Sequence, residues 1–332
     1  MNKIGLGLLI ILVLGLALVG GISAQEGDTC FNLAAEDCAV VTAAETQMDA
    51  VTAFTYTLNL NLTLEGLGAL IGPDAPATME FGFQGEGAID MTASAFDITY
   101  NITMADEAPL NGNITVADAA IYLTGADGAT QGATIADITT SLEAMGLGEM
   151  LAGYLGEGDT GELALPDTNP LALLGIGDLD ITPYANYERL ADEDLNGVTV
   201  SPFQLTVNLT GLLNDPAIAQ MMTGLSAQDP TGGMLGMLLP LLQMAESEVG
   251  MVEYVGADGY IYQTTFNLSL VLPPETGMPI NVALLVELGS NDFDAIESIK
   301  APEGATMLTA EEVQAMLQGY LAPVLGMLGG AQ

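Results

Sequence analysis

The sequence of 332 residues predicts an α+β fold. Polar and apolar residues alternate from Phe54 to Leu64, which is the period of a long, half-buried strand. The same alternation returns in later segments, separated by turn dipeptides such as Asn196-Gly197. Between these strands lie Gly-, Ala- and Met-rich blocks with helical spacing of their apolar residues. Meandering strands that alternate with apolar helical blocks favour an antiparallel α+β arrangement over a parallel α/β fold.

The other predicted elements are placed relative to the first strand. A short helix from Glu36 to Val51 leads directly into that strand. Further strands run from Met79 to Met91, Phe96 to Met104, Gly112 to Val116, Ala119 to Thr124, Tyr187 to Leu190, Thr199 to Leu209, Val249 to Val255, Tyr260 to Leu272 and Ile280 to Leu288. Helical blocks run from Ile138 to Tyr154 and from Asp215 to Met244, and Pro240 is expected to kink the second. A capping box from Thr309 to Glu312 begins a C-terminal helix.

The first 24 residues have the pattern of a secretory signal. Lys3 precedes an apolar run from Ile4 to Val19, and small residues follow up to Ala24, where we expect cleavage. An uncleaved membrane anchor is the alternative, because the apolar run approaches the ~20 residues that span a bilayer. We therefore expect an extracytoplasmic protein that is secreted or associated with the cell envelope.

Cys30 and Cys38 are the only cysteines in the chain. Export to an oxidising compartment predicts a disulfide between them. A zinc site is the poorer interpretation, because the chain has no His and two thiolates leave zinc half coordinated. Neither cysteine directly follows the apolar run, so the lipidated cysteine of a bacterial lipoprotein is not expected.

The charge balance excludes two classes of partner. The chain has 43 Asp and Glu against 3 Lys and Arg, for a net charge of −40. Such a surface repels phosphate backbones and anionic headgroups, which excludes nucleic-acid binding and electrostatic docking on anionic membranes. One hypothesis is adaptation to a salty habitat, where counterions screen the self-repulsion. Half of the residues are hydrophobic, so we expect a packed core.

Residue types that perform catalysis are scarce. The absence of His rules out Ser-His-Asp, Cys-His and His-based metal sites. Paired carboxylates could serve glycoside hydrolysis, but a pair among 43 acidic residues carries little information. We predict that the protein is not an enzyme and uses no cofactor or metal.

Two short motifs have simple alternatives. The segment from Asp192 to Gly197 matches the first half of a calcium loop, but Phe203 stands where the bidentate Glu belongs. The same residues suit a hairpin turn, which we favour. Asn-x-Ser/Thr triplets begin at five positions, and we interpret them as solvated strand faces: Asn61, Asn101, Asn113, Asn208 and Asn267.

Methionines are concentrated in the second helical block. Because Met is flexible and polarizable, a Met-lined surface adapts to irregular apolar partners. The simpler interpretation is that these methionines pack in an ordinary core. The more specific interpretation is that they line an apolar cavity. The methionines concerned are Met221, Met222, Met234, Met237 and Met244.

Four segments together resemble the LolA-like and LppX/LprG-like carriers of lipids and lipoproteins in bacterial envelopes. They are Met48-Asp-Ala-Val-Thr-Ala-Phe-Thr-Tyr-Thr-Leu, the pair Tyr187-Glu-Arg-Leu and Asn196-Gly-Val-Thr-Val, the pair Val252-Glu-Tyr-Val and Asp258-Gly-Tyr-Ile-Tyr, and Ile299-Lys-Ala-Pro-Glu-Gly-Ala. They span most of the chain after the predicted signal, and none is a catalytic or ligand signature.

The resemblance implies a curved antiparallel β half-barrel, an incomplete barrel, with helices that cover its concave face and an apolar cavity between them. We expect one such domain over residues 25–332, with helical insertions near 135–178 and 212–248 and a C-terminal helix near 309–326. The candidate cavity residues are Phe54, Tyr56, Leu58, Leu60, Phe81, Phe83, Phe96, Ile98, Tyr100, Met221, Met222, Met234, Met237, Leu238, Leu241 and Met244.

The leading functional hypothesis is therefore an exported, non-catalytic protein that carries or chaperones lipid or another hydrophobic molecule. Its first expected partner is that ligand. A second candidate partner is another protein of the cell envelope. The alternative is a structural or interaction protein of the cell surface with a filled core and no ligand.

Overall fold

The computed structural model describes residues 30, 32–66, 77–105, 108–144, 182–216, 243–272 and 280–318. The predicted signal lies outside these residues, as does most of each Met- and Ala-rich helical block. Within the described ranges, no helix combines the length and apolar character needed to cross a membrane.

Thirteen strands in the described part of the chain form one sheet. The strands are β1 (Ala53–Glu65), β2 (Thr78–Asp90), β3 (Ala95–Met104), β4 (Leu110–Ala117), β5 (Ala120–Thr124), β6 (Thr130–Thr134), β7 (Ala185–Arg189), β8 (Glu193–Leu195), β9 (Val198–Val207), β10 (Glu246–Gly256), β11 (Ile261–Val271), β12 (Asn281–Asn291) and β13 (Thr306–Met307). The helices are α1 (Ala35–Asp49), α2 (Ile135–Ala144) and α3 (Leu209–Leu213), with a 3-10 turn at Thr182–Tyr184 and a helical segment over 310–318.

The strand order is β13-β6-β5-β4-β3-β2-β1-β12-β11-β10-β9-β7, and β8 pairs with β9. Every pairing is antiparallel except the short parallel contact of β13 with β6. As far as the structure describes the chain, the sheet has two ends and is not closed into a barrel. The predicted fold class, an α+β half-barrel with helices, is confirmed.

The centre of the sheet joins distant parts of the chain. β1 pairs with β2 on one side and with β12 on the other, so that Tyr56 lies opposite both Gly87 and Ser290. Glycine is required at position 87, because a Cβ there would lie 1.8 Å from the Asp97 carbonyl oxygen. The close approach of β2 and β3 at this point therefore depends on the missing side chain.

Several predicted boundaries are wrong. The turn at Asn196-Gly197 was predicted to join the strand at Tyr187 directly to β9. It instead joins β9 to the three-residue strand β8, which was not predicted, and β7 pairs farther along β9. Leu209 was predicted to end a strand but begins α3, because the Asn208 side chain accepts a hydrogen bond from the Gly211 amide at 2.8 Å and caps the helix. β6 and β13 were also missed, since neither has a strong apolar alternation.

Candidate functional site

The nine strand residues proposed for an apolar cavity lie together. We use the term inner face for the side of the sheet that carries Phe54, Tyr56, Leu58 and Leu60 of β1. Antiparallel register places Phe83 opposite Leu60 and Tyr100 opposite Gly85, on the same side. The remaining candidates share this cluster, in which six of the nine are buried and Phe81, Phe96 and Tyr100 are partly buried.

The cluster extends onto β12 and β11. Val286 lies opposite Leu60 and also opposite Phe266, so the apolar row continues across three strands. Leu284 and Leu288 flank Val286 on the same side and pack against the cluster. The inner face is therefore apolar across at least six neighbouring strands, from β4 to β11.

Burial is uneven along the inner face. Near α1, Tyr56 and Ile98 are 3% and 1% exposed. Toward the other end of the inner face, Met79 of β2 is 43% exposed and Leu110 of β4 is 37% exposed. Register places Met79 opposite Leu64, and Leu110 opposite Ile102, on the inner face. We call this accessible apolar region the open end of the inner face.

Helix α1 covers the other part of the inner face. Val41 and Ala44 are buried against Tyr187, Phe203 and Val255 of β7, β9 and β10. Farther along the helix, Met48 packs against the main cluster. Alternating burial along the strands and the spacing of these helical residues therefore bring α1 onto the same side of the sheet.

The start of α1 is fixed by polar and covalent contacts. Cys30 and Cys38 form the predicted disulfide. The Asn32 side chain accepts a hydrogen bond from the Tyr187 amide at 2.7 Å and thereby occupies the free edge of β7. Arg189 of β7 bonds to Asp37 of α1 at 3.3 Å. These contacts hold the N-terminal end of the helix against the edge of the sheet.

Sequence analysis missed a buried acidic side chain beneath α1. Glu253 of β10 is 8% exposed on the inner face, where its carboxylate accepts a hydrogen bond from the Tyr187 hydroxyl at 2.8 Å. Burial raises the pKa of Glu253, and the same hydrogen bond opposes that rise. Burial also raises the pKa of Tyr187, as does the nearby carboxylate of Glu253. The sequence signal was the inner-face alternation Met251, Glu253, Val255, in which one position is acidic.

Glu45 of α1 completes this acidic site. Burial, together with the charges of Glu253 and then Asp49, raises the pKa of Glu45 to about 6. We call Glu45, Tyr187 and Glu253 the acidic cluster. Among the described residues, no group of three or more His, Cys, Asp and Glu has the geometry to hold a metal ion.

The opposite, outer face is polar. Asn61, Asn101, Asn113 and Asn267 lie on it, as expected for a polar strand face, whereas Asn208 caps α3. The interpretation of Asn101 as solvated is wrong, because its side-chain oxygen is buried without a hydrogen-bond partner among the described residues. Asn113 is engaged locally, because its amide donates to the Asp97 carboxylate at 3.0 Å. A depression of about 260 Å³ near Asn61 is lined by both polar and apolar residues, and a second of about 300 Å³ near Asn186 is lined mostly by polar residues.

The segment from Asp192 to Gly197 contains β8 and the turn Asn196-Gly197 that joins β8 to β9. The Gly197 amide donates to the Asp194 carboxylate at 2.8 Å, and Gly197 adopts a positive φ of 90°. Asp192 is engaged by Arg189 at 2.9 Å and by the Ser201 hydroxyl at 2.8 Å. These contacts support the turn that was favoured over a calcium loop.

The helical half of the proposed cavity is mostly outside the described residues. Met221, Met222, Met234, Met237, Leu238 and Leu241 all fall there. Met244 is described and is 50% exposed, just before β10. The strand candidates are therefore brought together, while the position of the Met-rich block relative to them stays a prediction.

Comparison with known proteins gives distant structural matches. No family model and no curated protein matches the chain. Among solved structures, the chain is similar to the lipoprotein LppX of Mycobacterium tuberculosis, at 10% identity and a TM-score of 0.35, over 79% of this chain and 97% of that one. It is also similar to LprF of Mycobacterium bovis, at 8% identity and a TM-score of 0.33, over 82% and 99% of the two chains.

A further match is a putative outer membrane lipoprotein-sorting protein domain from Vibrio parahaemolyticus, at 9% identity and a TM-score of 0.18, over 83% of this chain and 97% of that one. One of these proteins, LppX, gives its name to the group that the sequence resembles. Because the TM-scores are below 0.5, the likeness carries no argument about a ligand.

Proposed function

We propose that the protein is an exported, non-catalytic carrier or chaperone of lipid or another hydrophobic molecule. The observation that carries this proposal is the open end of the inner face. There, Met79 of β2 and Leu110 of β4 remain accessible, although register places both on the same face as the buried apolar cluster. We propose that these accessible side chains belong to an apolar binding surface, since larger exposed apolar patches on proteins are typical of binding sites.

The energetics suit a hydrocarbon ligand. Transfer of one methylene group from water to an apolar environment contributes ~0.8 kcal/mol, so an acyl chain gains affinity from burial alone. The residues of the open end offer apolar contacts and need no charged anchor for such a chain. The net charge of −40 opposes an anionic headgroup, which favours a neutral ligand.

Export and domain organisation complete the proposal. The predicted signal over residues 1–24 would deliver the chain to an oxidising compartment, and the Cys30–Cys38 disulfide is compatible with that environment. We propose that residues 25–332 form one domain. The pairing of β1 with β12 supports this, because it joins strands from both halves of the chain in one sheet.

The proposal can be tested with two adjacent leucines on β12. Leu284 faces the inner cluster, whereas Leu285 faces outward and is 37% exposed. A fluorescent acyl probe should bind the wild-type protein in a saturable way. We expect Leu284→Gln to weaken binding about tenfold, since it places an amide against the ligand, and Leu285→Gln to leave binding unchanged. Equal effects of the two substitutions, or no saturable binding, would overturn the proposal.

The second candidate is a structural or interaction protein whose core is filled. The near-complete burial of Ile98, Ile102 and Val116 favours it for the part of the sheet around β3. This alternative predicts that no acyl probe binds and that host protein purifies without ligand. It also predicts a protein partner that can be crosslinked to the accessible surface.

A further inference from the structure

The face of helix α1 that contacts the sheet carries both apolar residues and an acidic residue. Val41, Ala44, Glu45 and Met48 follow the helical spacing of three and four residues, so they lie on the same side of the helix. Val41 and Ala44 are buried in the contact, and the Met48 sulfur accepts a hydrogen bond from the Ile261 amide at 3.5 Å. An acidic side chain therefore stands in the middle of an otherwise apolar contact.

The sheet presents a second acidic side chain to this face. Glu253 lies opposite Phe203 of β9 and Thr264 of β11, both of which are uncharged. Its hydrogen-bond donor is the Tyr187 hydroxyl on β7. The one basic side chain near this contact, Arg189, is engaged by Asp37 and Asp192 and stacks over the Phe203 ring at 6.0 Å. In the described structure, neither Glu45 nor Glu253 has an ion pair with a basic residue.

We propose that Glu45 and Glu253 act as a pH-sensitive switch that holds helix α1 on the inner face at acidic pH and loosens the helix as both carboxyl groups ionise. Its role in ligand exchange rests on the proposed carrier function, because release of the helix would uncover inner-face residues such as Phe203. The switch itself depends only on the contact between α1 and the sheet.

The direction of the pH effect follows from the folded-state carboxyl groups. The pKa of Glu45 rises from 4.5 to about 6, first because of burial and then because of Glu253 and Asp49. A carboxyl group whose pKa is raised by folding imposes no penalty while it is protonated. The penalty appears as the pH rises from about 4.5 and is complete above about 6 for Glu45. Burial also raises the pKa of Glu253.

The N-terminal contacts restrict which part of α1 can move. Asn32 and Asp37 tether the start of the helix to β7, and the disulfide closes the chain between Cys30 and Cys38. Glu45, the member of the acidic cluster on this helix, lies about two turns farther along. We therefore infer that the segment from Val41 to Asp49 loosens first, while residues near Asp37 keep their contacts.

Hydrogen exchange measured by mass spectrometry tests this switch on the full chain. After correction for the intrinsic effect of pH on exchange, we expect protection of the segment from Val41 to Asp49 to fall about tenfold between pH 5 and pH 7.5, a modest change because Glu45 is only half buried. Glu45→Gln and Glu253→Gln should each reduce this fall. Glu36→Gln, which removes the same charge from an exposed position on α1, should retain it.

The outcomes separate the switch from the carrier function. An equal pH response in wild type and Glu45→Gln would overturn the switch. If Glu253→Gln does not fold, a second measurement replaces the exchange experiment on that variant. The ¹³C-labelled Glu side chains of wild type and Glu45→Gln are titrated by nuclear magnetic resonance, and the comparison assigns the Glu45 signal. A titration of Glu45 below pH 5 would overturn the proposal. Because exchange is measured without ligand, absence of acyl-probe binding would refute the carrier alone.

Discussion

The Tyr56 hydroxyl donates a hydrogen bond to the main-chain carbonyl oxygen of Asp97 at 3.2 Å. The side chain reaches from β1 across β2 to β3, passing the position of Gly87, which lies opposite Tyr56. Burial raises the pKa of Tyr56, and the Asp97 carboxylate raises it further, so the hydroxyl stays a donor over the physiological pH range. This contact links three strands at the most buried part of the inner face.

We expect Gly87→Ala to destabilise the protein by about 1–3 kcal/mol, because the new methyl group collides with main-chain atoms of Asp97 that have little room to move. The matched control is Gly85→Ala, whose methyl group would meet the flexible end of the Ile98 side chain at 2.8 Å. Urea unfolding of both variants measures the difference. A cost for Gly85→Ala that equals or exceeds that for Gly87→Ala would contradict this explanation.

Loss of the disulfide should also destabilise the protein. Replacement of Cys30 and Cys38 by Ser opens a loop with a sequence separation of 8 residues, for which chain entropy predicts a loss of about 2–3 kcal/mol. The unfolding midpoint in urea measures this loss. Reduced wild-type protein serves as the control and should match the double variant. An unchanged midpoint in both samples would show that the bridge does not stabilise the fold.

Tyr187→Phe should cost about 1–3 kcal/mol at pH 8, because it leaves the buried Glu253 carboxylate without its hydroxyl donor. The cost should be smaller at pH 5, since the same hydrogen bond favours the ionised form of Glu253 and a protonated carboxyl needs it less. Tyr262→Phe is the control, because the Tyr262 hydroxyl bonds to Asp258 in an exposed turn. A Tyr187→Phe cost that is independent of pH would argue against an ionised Glu253 at pH 8.

Salt should stabilise a chain with a net charge of −40. Raising NaCl from about 0.01 M to 1 M shortens the Debye length from about 30 Å to 3 Å and screens repulsion between surface carboxylates. We therefore expect the melting temperature to climb over this range. KCl serves as a control for sodium-specific effects. A flat response in both salts would remove the hypothesis of adaptation to a saline habitat.

Long strands with one buried face were predictable from sequence, and regions set by distant contacts were not. β1 was predicted because residues 54–64 keep a period of two while half buried. β8 and β13, of three and two residues, are too short for any period to appear. The register of β1 with β12 depends on residues more than 200 positions apart, and no local pattern specifies it.

The candidate site shows the same limit. Alternation placed Phe54, Tyr56 and Leu58 on one face, and the structure brings them into one cluster. It did not identify Glu253 as buried, because an acidic residue within a strand is ordinarily assigned to the solvent side. Glu253 lies on the face where α1 packs over β10, and that packing joins segments about 200 residues apart in sequence.

The most direct test of the carrier function is native mass spectrometry of protein purified from its own host, followed by organic extraction and analysis of the extract. We predict a bound mass that extraction removes and that is recovered as a lipid or another hydrophobic molecule. Leu284→Gln should lower its occupancy, whereas Leu285→Gln should not. A strictly ligand-free protein that also fails to take up added lipid would contradict the account.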